Sequence, residues 1–196
     1  MIEPLGIDIN RPLARCRRAI DRCNGIIGKL LDFAGNGELH VTPVQLDAWL
    51  GGMLGQLTKP DEISLDQRFD AGCAIVSIDE GRLSRAIINV VENAVEALAE
   101  SPESVDRRIT ISTHASDAAE IVITDHGRGM TEDVLSRIFE PLFSTRAFGA
   151  GLGLPTAKRI MDQHGGELTV LSAPGAGTSV VLRLPIVTPN RGQVAA

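Results

Sequence analysis

Apolar residues recur three and four positions apart along the first part of the chain and predict one long helix. This seam runs through Leu13, Cys16, Ile20, Cys23, Ile27, Leu30 and Ala34. A heptad seam of this kind is buried only when the helix packs against other helices. We therefore expect residues 13–34 to belong to a helical bundle, formed either within a longer chain or in a homodimer.

The pattern changes after Gly35-Asn36-Gly37, where we place a boundary. Three segments are expected: a partial bundle region at residues 1–36, a domain at residues 41–188 and a disordered tail at residues 189–196. Within the domain, helical periodicity covers residues 46–57, 80–100 and 152–163, and strand-like segments cover residues 63–69, 73–78, 108–114, 120–124, 167–171 and 179–184. Their irregular order, with several hairpins, predicts an α+β fold with helices on one face of a mixed sheet. Residues 126–150 are rich in turn formers and are predicted to form a loop or lid.

Composition narrows the class of protein. The chain has 196 residues, 43% apolar residues, 22% charged residues and a net charge of -6, which suits a soluble domain and argues against nucleic acid as a partner. It contains neither a run of apolar residues that could span a bilayer nor a signal-peptide pattern. The three cysteines, Cys16, Cys23 and Cys73, include no close pair, so a cytoplasmic location is expected; a membrane anchor upstream in a longer parent protein stays open.

Four short motifs follow one another between Asn89 and Leu154. They are Asn89-Val-Val-Glu-Asn93-Ala-Val-Glu-Ala97, Asp125-His-Gly127-Arg-Gly129, Phe139-Glu-Pro-Leu-Phe143-Ser-Thr145-Arg146 and Gly149-Ala-Gly151-Leu-Gly153-Leu154. Asn89 and Asn93 are four residues apart, so both lie on one face of a helix. Their amide oxygens suit Mg²⁺, although such a pair alone is more typical of the solvated face of a helix.

The second and fourth motifs suggest a nucleotide. A carboxylate at a strand end, as expected for Asp125, can accept a hydrogen bond from an adenine amino group, but Asp and Gly are also common in plain turns. The glycine-rich segment opens a helix, and the N-terminus of a helix favours anions. It matches neither the dinucleotide-binding pattern nor a Walker loop.

Together, in this order and spacing, the motifs resemble the N, G1, F and G2 boxes of sensor histidine kinases. These enzymes bind ATP in a Bergerat-type fold shared with gyrase, Hsp90 and MutL. The resemblance implies ATP and Mg²⁺ as cofactors, with Asn93 as the metal ligand, Asn89 beside the phosphates and Asp125 selecting adenine. It assigns catalytic roles to Asn89, Asn93 and Arg146, and a nucleotide-binding site to Asn89, Asn93, Asp125, Gly127, Gly129, Met130, Arg146, Gly149, Gly151, Leu152, Gly153, Leu154 and Thr178.

The resemblance covers nearly the whole chain and implies an activity. Residues 13–34 correspond to the second helix of a dimerisation and phosphotransfer bundle, and residues 41–187 to the catalytic domain. Such an enzyme transfers the γ-phosphoryl group of ATP to a histidine and then to an aspartate in the receiver domain of a response regulator. The acceptor helix is missing here, because none of the four histidines, His40, His114, His126 and His164, has the expected helical context. We therefore do not expect this chain alone to phosphorylate itself.

Two departures leave other functions open. Glu96 stands where some relatives carry a basic residue, so neutralisation of the phosphates is expected to rest on Mg²⁺, Arg146 and Arg128. ATPases of the gyrase, MutL and Hsp90 kind place a catalytic glutamate four residues before the metal-binding asparagine, where this chain has Asn89. An ATP-binding adaptor without turnover and a stand-alone protein phosphorylated in trans are further alternatives.

Overall fold

The computed structural model describes residues 10–35, 37–102, 105–146 and 149–187, and the chain divides into two compact units, residues 1–36 and 37–196. The described part of the first unit is the helix α1 (Asn10–Ala34), which covers the predicted heptad segment. Leu13, Ile20 and Ile27 on its seam are 64%, 59% and 53% exposed. These apolar side chains are therefore exposed to solvent.

The second unit contains the remaining helices and strands. They are β1 (Thr42–Gln45), α2 (Leu46–Leu54), β2 (Ser64–Asp70), β3 (Ile75–Ile78), α3 (Glu80–Ala99), β4 (Arg108–Ala115), β5 (Ala118–Asp125), α4 (Glu132–Leu135), α5 (Gly153–Gln163), β6 (Glu167–Ser172) and β7 (Thr178–Pro185). The long predicted helices and the strand segments all appear, with ends that differ by a few residues.

Five strands form one mixed sheet in the order β2-β4-β5-β7-β6. Only β2 and β4 are parallel, and the other neighbouring strands are antiparallel. Alternate residues are buried, as in Ile109 and Ile111 of β4 and Ile121 and Ile123 of β5, because successive side chains of a strand point to opposite faces. Helices α3 and α5 pack on this apolar face. The predicted α+β fold is confirmed.

Two short elements differ from the sequence-based expectation. Residues 41–44 were expected only to lead into the first helix of the domain, but Thr42–Gln45 pairs antiparallel with Ile75–Ile78. Pro43 argues against a central strand but is tolerated in a two-stranded sheet, where one edge needs no N–H donor. The predicted lid also contains α4, which is capped by the Thr131 hydroxyl accepting a hydrogen bond from the Val134 N–H at 3.4 Å. The predicted disordered tail, residues 189–196, lies outside the described residues.

Asp79 fixes the beginning of α3 and joins it to the end of α5. Its Oδ1 accepts a hydrogen bond from the Arg82 N–H at 3.1 Å, and its Oδ2 accepts one from the His40 N–H at 3.2 Å. The Asp79 N–H donates to His164 Nε2 at 2.9 Å, while His164 Nδ1 lies 2.7 Å from the Ile160 carbonyl. Because each ring nitrogen of His164 has a backbone partner, His164 acts as a structural link between the two helices.

We expect Asp79→Ala to lower the free energy of unfolding by about 1 to 2 kcal/mol, because the N-cap of α3 is lost. Burial raises the pKa of the Asp79 carboxyl, but the two backbone N–H donors and the Arg82 guanidinium outweigh burial and lower the pKa overall. The capping contribution is therefore present above the ordinary carboxyl range and lost as pH falls through the lowered pKa.

Urea unfolding of the wild type and the variant at several pH values measures this difference. Asp61→Ala, at an exposed turn position, is the matched control and should change stability by less than about 0.5 kcal/mol. Equal losses for the two variants would contradict a capping role for Asp79.

Candidate functional site

The carboxylate of Asp125 is buried at the end of β5. Its Oδ1 accepts a hydrogen bond from the Gly127 N–H at 2.8 Å, and the backbone N–H of Thr178 on β7 also donates to the carboxylate. Burial raises the pKa of Asp125, and the two N–H donors and the charge of Arg146 only partly offset this. A carboxylate has about four acceptor positions, so it can still accept a hydrogen bond from a ligand.

At two positions, Gly127 and Gly129, the turn after Asp125 lies too close to its neighbours to carry a side chain. A Cβ atom at Gly127 would lie 2.9 Å from the Cβ of Ala97 on α3. Gly129 has a φ of +65°, and a Cβ there would overlap the carbonyl of Ala173. The turn is therefore packed between α3 and the connection from β6 to β7.

The hydroxyl groups of Ser172 and Thr178 lie beside the turn that follows Asp125. Ser172 Oγ donates to the Gly177 carbonyl at 2.8 Å, lies 3.0 Å from Thr178 Oγ1 and accepts a hydrogen bond from the Met130 N–H at 3.0 Å. Thr178 thus contacts Ser172 through its hydroxyl and Asp125 through its backbone. Ser172 was missed from the sequence, since a serine at a strand end has no distinctive pattern. Only the pairing of Ser172 with Thr178 across β6 and β7 brings it into the site.

The side chains of Asn89 and Asn93 face the beginning of α5. A Cβ atom at Gly153 would lie 3.4 Å from Asn93 Nδ2 and 3.8 Å from Asn89 Cβ. Within the described residues, no side chain caps α5 at Leu152, so the first backbone N–H groups of the helix are left for other acceptors. The uncapped helix N-terminus suits an anion, and the neutral amide oxygens beside it suit a cation bound to that anion.

The described residues of the third and fourth motifs pack against each other in front of α5. Gly151 has a φ of +62°, and a Cβ there would overlap the backbone of Phe143. The Leu142 N–H donates to the Gly151 carbonyl at 3.0 Å. Leu142 itself has a φ of +67°, which is rare for a residue other than glycine. Gly149 lies against the Ser144 side chain.

The apolar side chains of these two motifs are packed mainly against the protein core. Leu152 is 2% exposed, and Leu154 and Phe139 are half-buried against the core. Leu152 and Leu154 are therefore suited to contact a ligand mainly through their backbone. The Phe143 ring lies 4.1 Å from the Arg137 guanidinium carbon, in a cation–π contact.

Arg146 is paired with carboxylates at the end of α3. Its Nη1 donates to Glu96 Oε2 at 2.6 Å, and its Nε lies 3.1 Å from Glu100 Oε1. Its Nη2 also donates to the Asn93 carbonyl at a longer 3.4 Å. The Arg146 side chain is 21% exposed. The guanidinium therefore lies beside Asn93, but in this structure its partners are protein oxygens.

The residues assigned from the sequence fall at two ends of one site along α3. Asp125, Gly127, Gly129, Met130 and Thr178 surround one end, and Asn89, Asn93, Arg146 and residues 149–154 surround the other. In the part of the chain that the structure describes, no group of three or more His, Cys, Asp or Glu side chains could hold a metal ion. No described helix is long and apolar enough to cross a membrane.

The chain is similar to proteins of known kind over most of its length. Sensor histidine kinase ZraS of Escherichia coli (strain K12) is 32% identical over 190 residues, which cover 93% of this chain and 39% of ZraS. The crystal structure of full-length ShkA in complex with AMPPNP has a TM-score of 0.75 and 22% identity, and the match covers 94% of this chain and 40% of ShkA. The mycobacterial sensor histidine kinase MprB has a TM-score of 0.63 and 28% identity, over 75% of this chain and 98% of MprB.

The ShkA match is evidence for the fold alone, and the chain spans only 39% of ZraS. The family match is more direct: residues 78–188 match the family described as "Histidine kinase-, DNA gyrase B-, and HSP90-like ATPase". This range contains all four motifs, both ends of the site and more than half of the chain. The chain therefore belongs to the histidine kinase-, DNA gyrase B- and HSP90-like ATPase family, and it carries an ATP-binding domain of the kind found in sensor histidine kinases.

Proposed function

We propose that this chain is the catalytic part of a two-component sensor histidine kinase. It transfers the γ-phosphoryl group of ATP to a histidine on a helical bundle, and the group then passes to an aspartate in a response-regulator receiver domain. One observation carries the proposal: α3 is a common wall for both ends of the site. Ala97 contacts the turn after Asp125, and Asn93, one helical turn earlier, contacts the start of α5. A nucleotide lying along α3 would reach both ends.

In this proposal the adenine end is organised by Asp125. Its buried carboxylate accepts a hydrogen bond from the adenine amino group, while the glycines at 127 and 129 let the backbone approach the purine. The half-buried Met130 lies beside this turn. Thr178 and Ser172 hold the turn and the carboxylate in place.

The phosphate end is organised by backbone N–H groups and by Asn89 and Asn93. The uncapped start of α5 attracts the phosphates, and Gly149 and Gly151 keep the loop compact enough for them to approach. The residues present fit Mg²⁺, since Asn93 offers a neutral oxygen ligand and the phosphates can complete the coordination. When bound, Mg²⁺ neutralises phosphate charge. The protein's own part is to orient the nucleotide, with Arg146 supplying positive charge.

The identity of residue 89 favours transfer to a histidine over hydrolysis. An ATPase of the gyrase type needs a carboxylate there to activate water, and the amide of Asn89 is not a base at neutral pH. An adaptor that binds ATP without turnover would need the same phosphate-binding elements, so the uncapped α5 beside two asparagines suits it as well as a kinase, and only transfer of label separates the two.

We further propose that α1 is the second helix of a dimerisation bundle. Its exposed seam supports this, because an apolar stripe with Leu13 64% exposed needs a covering helix. Residues 1–36 then form part of the bundle region and residues 41–188 the catalytic domain. The acceptor histidine lies on a helix outside these 196 residues, and the domain works in the cytoplasm.

Asp125→Asn should weaken ATP binding at least about tenfold, because an amide offers one acceptor atom where the carboxylate offers two. Without nucleotide, the thermal stability of the variant should change less with pH than that of the wild type, because the amide does not ionise. The pKa of Asp125 is raised by burial, so its ionisation costs stability as pH rises through that pKa. Calorimetric titration with ATP and thermal unfolding measure the two effects.

Asp117→Asn is the matched control, because Asp117 is 77% exposed in the turn between β4 and β5. It should leave ATP affinity unchanged. ATP affinity of the wild type should also fall on acidification at a higher pH than an ordinary aspartate would give. Unchanged ATP affinity in Asp125→Asn would rule out the adenine assignment.

Asn93→Ala should reduce the gain in ATP affinity that Mg²⁺ provides, because an oxygen ligand of the metal is lost. We expect about a tenfold loss with Mg²⁺ and a smaller loss in EDTA, measured by titration under both conditions. Asn24→Ala, on the exposed surface of α1, is the matched control. Equal losses with and without Mg²⁺ would argue against a metal role for Asn93.

Transfer of label from γ-labelled Mg-ATP tests the activity itself. We expect acid-labile label on a longer chain that includes an upstream acceptor helix, and none on these 196 residues alone. Label on this chain alone would show that one of its four histidines is the acceptor. ATP binding with no label on either chain would favour the adaptor, and release of free phosphate at the same rate as ATP loss would favour the ATPase.

A further inference from the structure

We propose that Glu96 and Glu100 form a latch that holds Arg146 on α3 in the nucleotide-free protein, and that binding of Mg-ATP transfers the guanidinium from these carboxylates to the phosphates. This inference rests on the proposed function, because it assumes that ATP phosphates lie beside Asn89 and Asn93. It gives the two glutamates a positioning role: they set how available Arg146 is to the nucleotide.

The spacing along α3 brings the latch next to the phosphate end. Asn89, Asn93, Glu96 and Glu100 are separated by four, three and four residues, so they form one stripe on the helix. Three residues of helix rise only about 4.5 Å, so Glu96 lies less than one turn beyond Asn93. Arg146 already donates to the Asn93 carbonyl at 3.4 Å. Phosphates bound beside Asn93 would therefore lie close to the Arg146 guanidinium.

The contacts of Arg146 leave it incompletely satisfied. Nη1 has a short hydrogen bond of 2.6 Å to Glu96. Nε is close to Glu100, at 3.1 Å, but among the described residues this buried N–H has no aligned hydrogen-bond acceptor. A hydrogen bond weakens as its donor and acceptor lose alignment, so this N–H gains little from Glu100 beyond the attraction of opposite charges. Phosphate oxygens would supply a better aligned acceptor and a larger negative charge.

The carboxylates can release Arg146 without being left buried and unpaired. Arg128 Nη2 also lies 3.1 Å from Glu100 Oε2, so Glu100 keeps one cation after the transfer. The Glu96 side chain is 49% exposed and can be hydrated. Both features lower the free energy needed to open the latch, which suits an exchange better than a permanent buried ion pair.

The latch also joins the end of the third motif to α3 before nucleotide binds. Arg146 is the last residue of that motif, and its guanidinium contacts Glu96 and Glu100 at the end of α3. While Glu96 and Glu100 hold Arg146, the phosphates must compete with the two carboxylates for the guanidinium. The expected consequence is that the latch lowers phosphate affinity and leaves recognition of the adenosine moiety unchanged.

The test compares Glu96→Gln/Glu100→Gln in two backgrounds, wild type and Arg146→Gln, by titration with Mg-ATP and with adenosine. With Arg146 present, we expect the two substitutions to raise Mg-ATP affinity about three- to tenfold, since two partly exposed ion pairs no longer compete. In the Arg146→Gln background the gain should be clearly smaller, because only repulsion between carboxylates and phosphates is removed. Adenosine affinity should be unchanged in every variant.

A lower Mg-ATP affinity of the double variant would mean that the ion pairs persist with nucleotide bound, and it would overturn the exchange. Equal gains in the two backgrounds would also overturn it, since the gain would then come only from the loss of repulsion between carboxylates and phosphates. A parallel change in adenosine affinity would also overturn it, since that indicates a general effect on the fold. Glu62→Gln/Asp106→Asn is the matched control: it removes the same charge from exposed pairs with Arg107 and Arg108 and should leave both affinities unchanged.

Failure of the latch and failure of the proposed function give different results. If wild-type protein binds neither Mg-ATP nor adenosine, the proposed function itself is wrong. If it binds both, and the glutamate substitutions change neither affinity, only the latch is wrong.

Discussion

The close approach of α3 to two glycines is the constraint on which the site depends. Gly127 lies against Ala97, and Gly153 lies against Asn93 and Asn89, so the helix is in van der Waals contact with both loops. A side chain at Gly127 would have to displace α3 or part of the loop, because its Cβ would lie 2.9 Å from the Ala97 Cβ. Such a displacement is costly because protein interiors are close-packed. The distance between α3 and the turn after Asp125 is therefore set by this contact, whereas a Cβ at Gly153 would lie at an ordinary contact distance of 3.4 Å from Asn93 Nδ2.

A second constraint is electrostatic. Asp125 is buried, and its raised pKa shows that the surrounding N–H donors do not fully repay the burial of its charge. In the proposed site, a ligand donor would supply the hydrogen bond that this buried carboxylate lacks in the free protein. At the other end, Arg146, Glu96, Glu100 and Arg128 form a mixed cluster whose charges largely balance. The carboxylate of Asp125 at one end of the site can accept a further hydrogen bond. At the other end, the guanidinium of Arg146 is shared between Glu96 and Glu100.

Sequence patterns sufficed for the long elements and for the four motifs. Alternating residues such as Ile121 and Ile123 predict β5, and the spacing of Leu83, Ile87 and Val91 predicts α3. Short elements were missed because their signals are weak: β1 contains Pro43, and α4 has one turn within a segment rich in turn formers. Ser172 and the partners of Arg146 could not be found from spacing alone, since strand pairing and loop packing bring them together from distant parts of the chain.

The length of α5 has a consequence of its own. Its first turn faces Asn89 and Asn93, and His164, directly after its last residue, receives the Asp79 N–H at the start of α3. The length of α5, about 16 Å for its 11 residues, therefore sets the distance between these two contacts with α3. Inserting or removing a single residue would turn one end by about 100° relative to the other, so that only one contact could be kept. The number of residues in α5 is consequently restricted by the contacts at both of its ends.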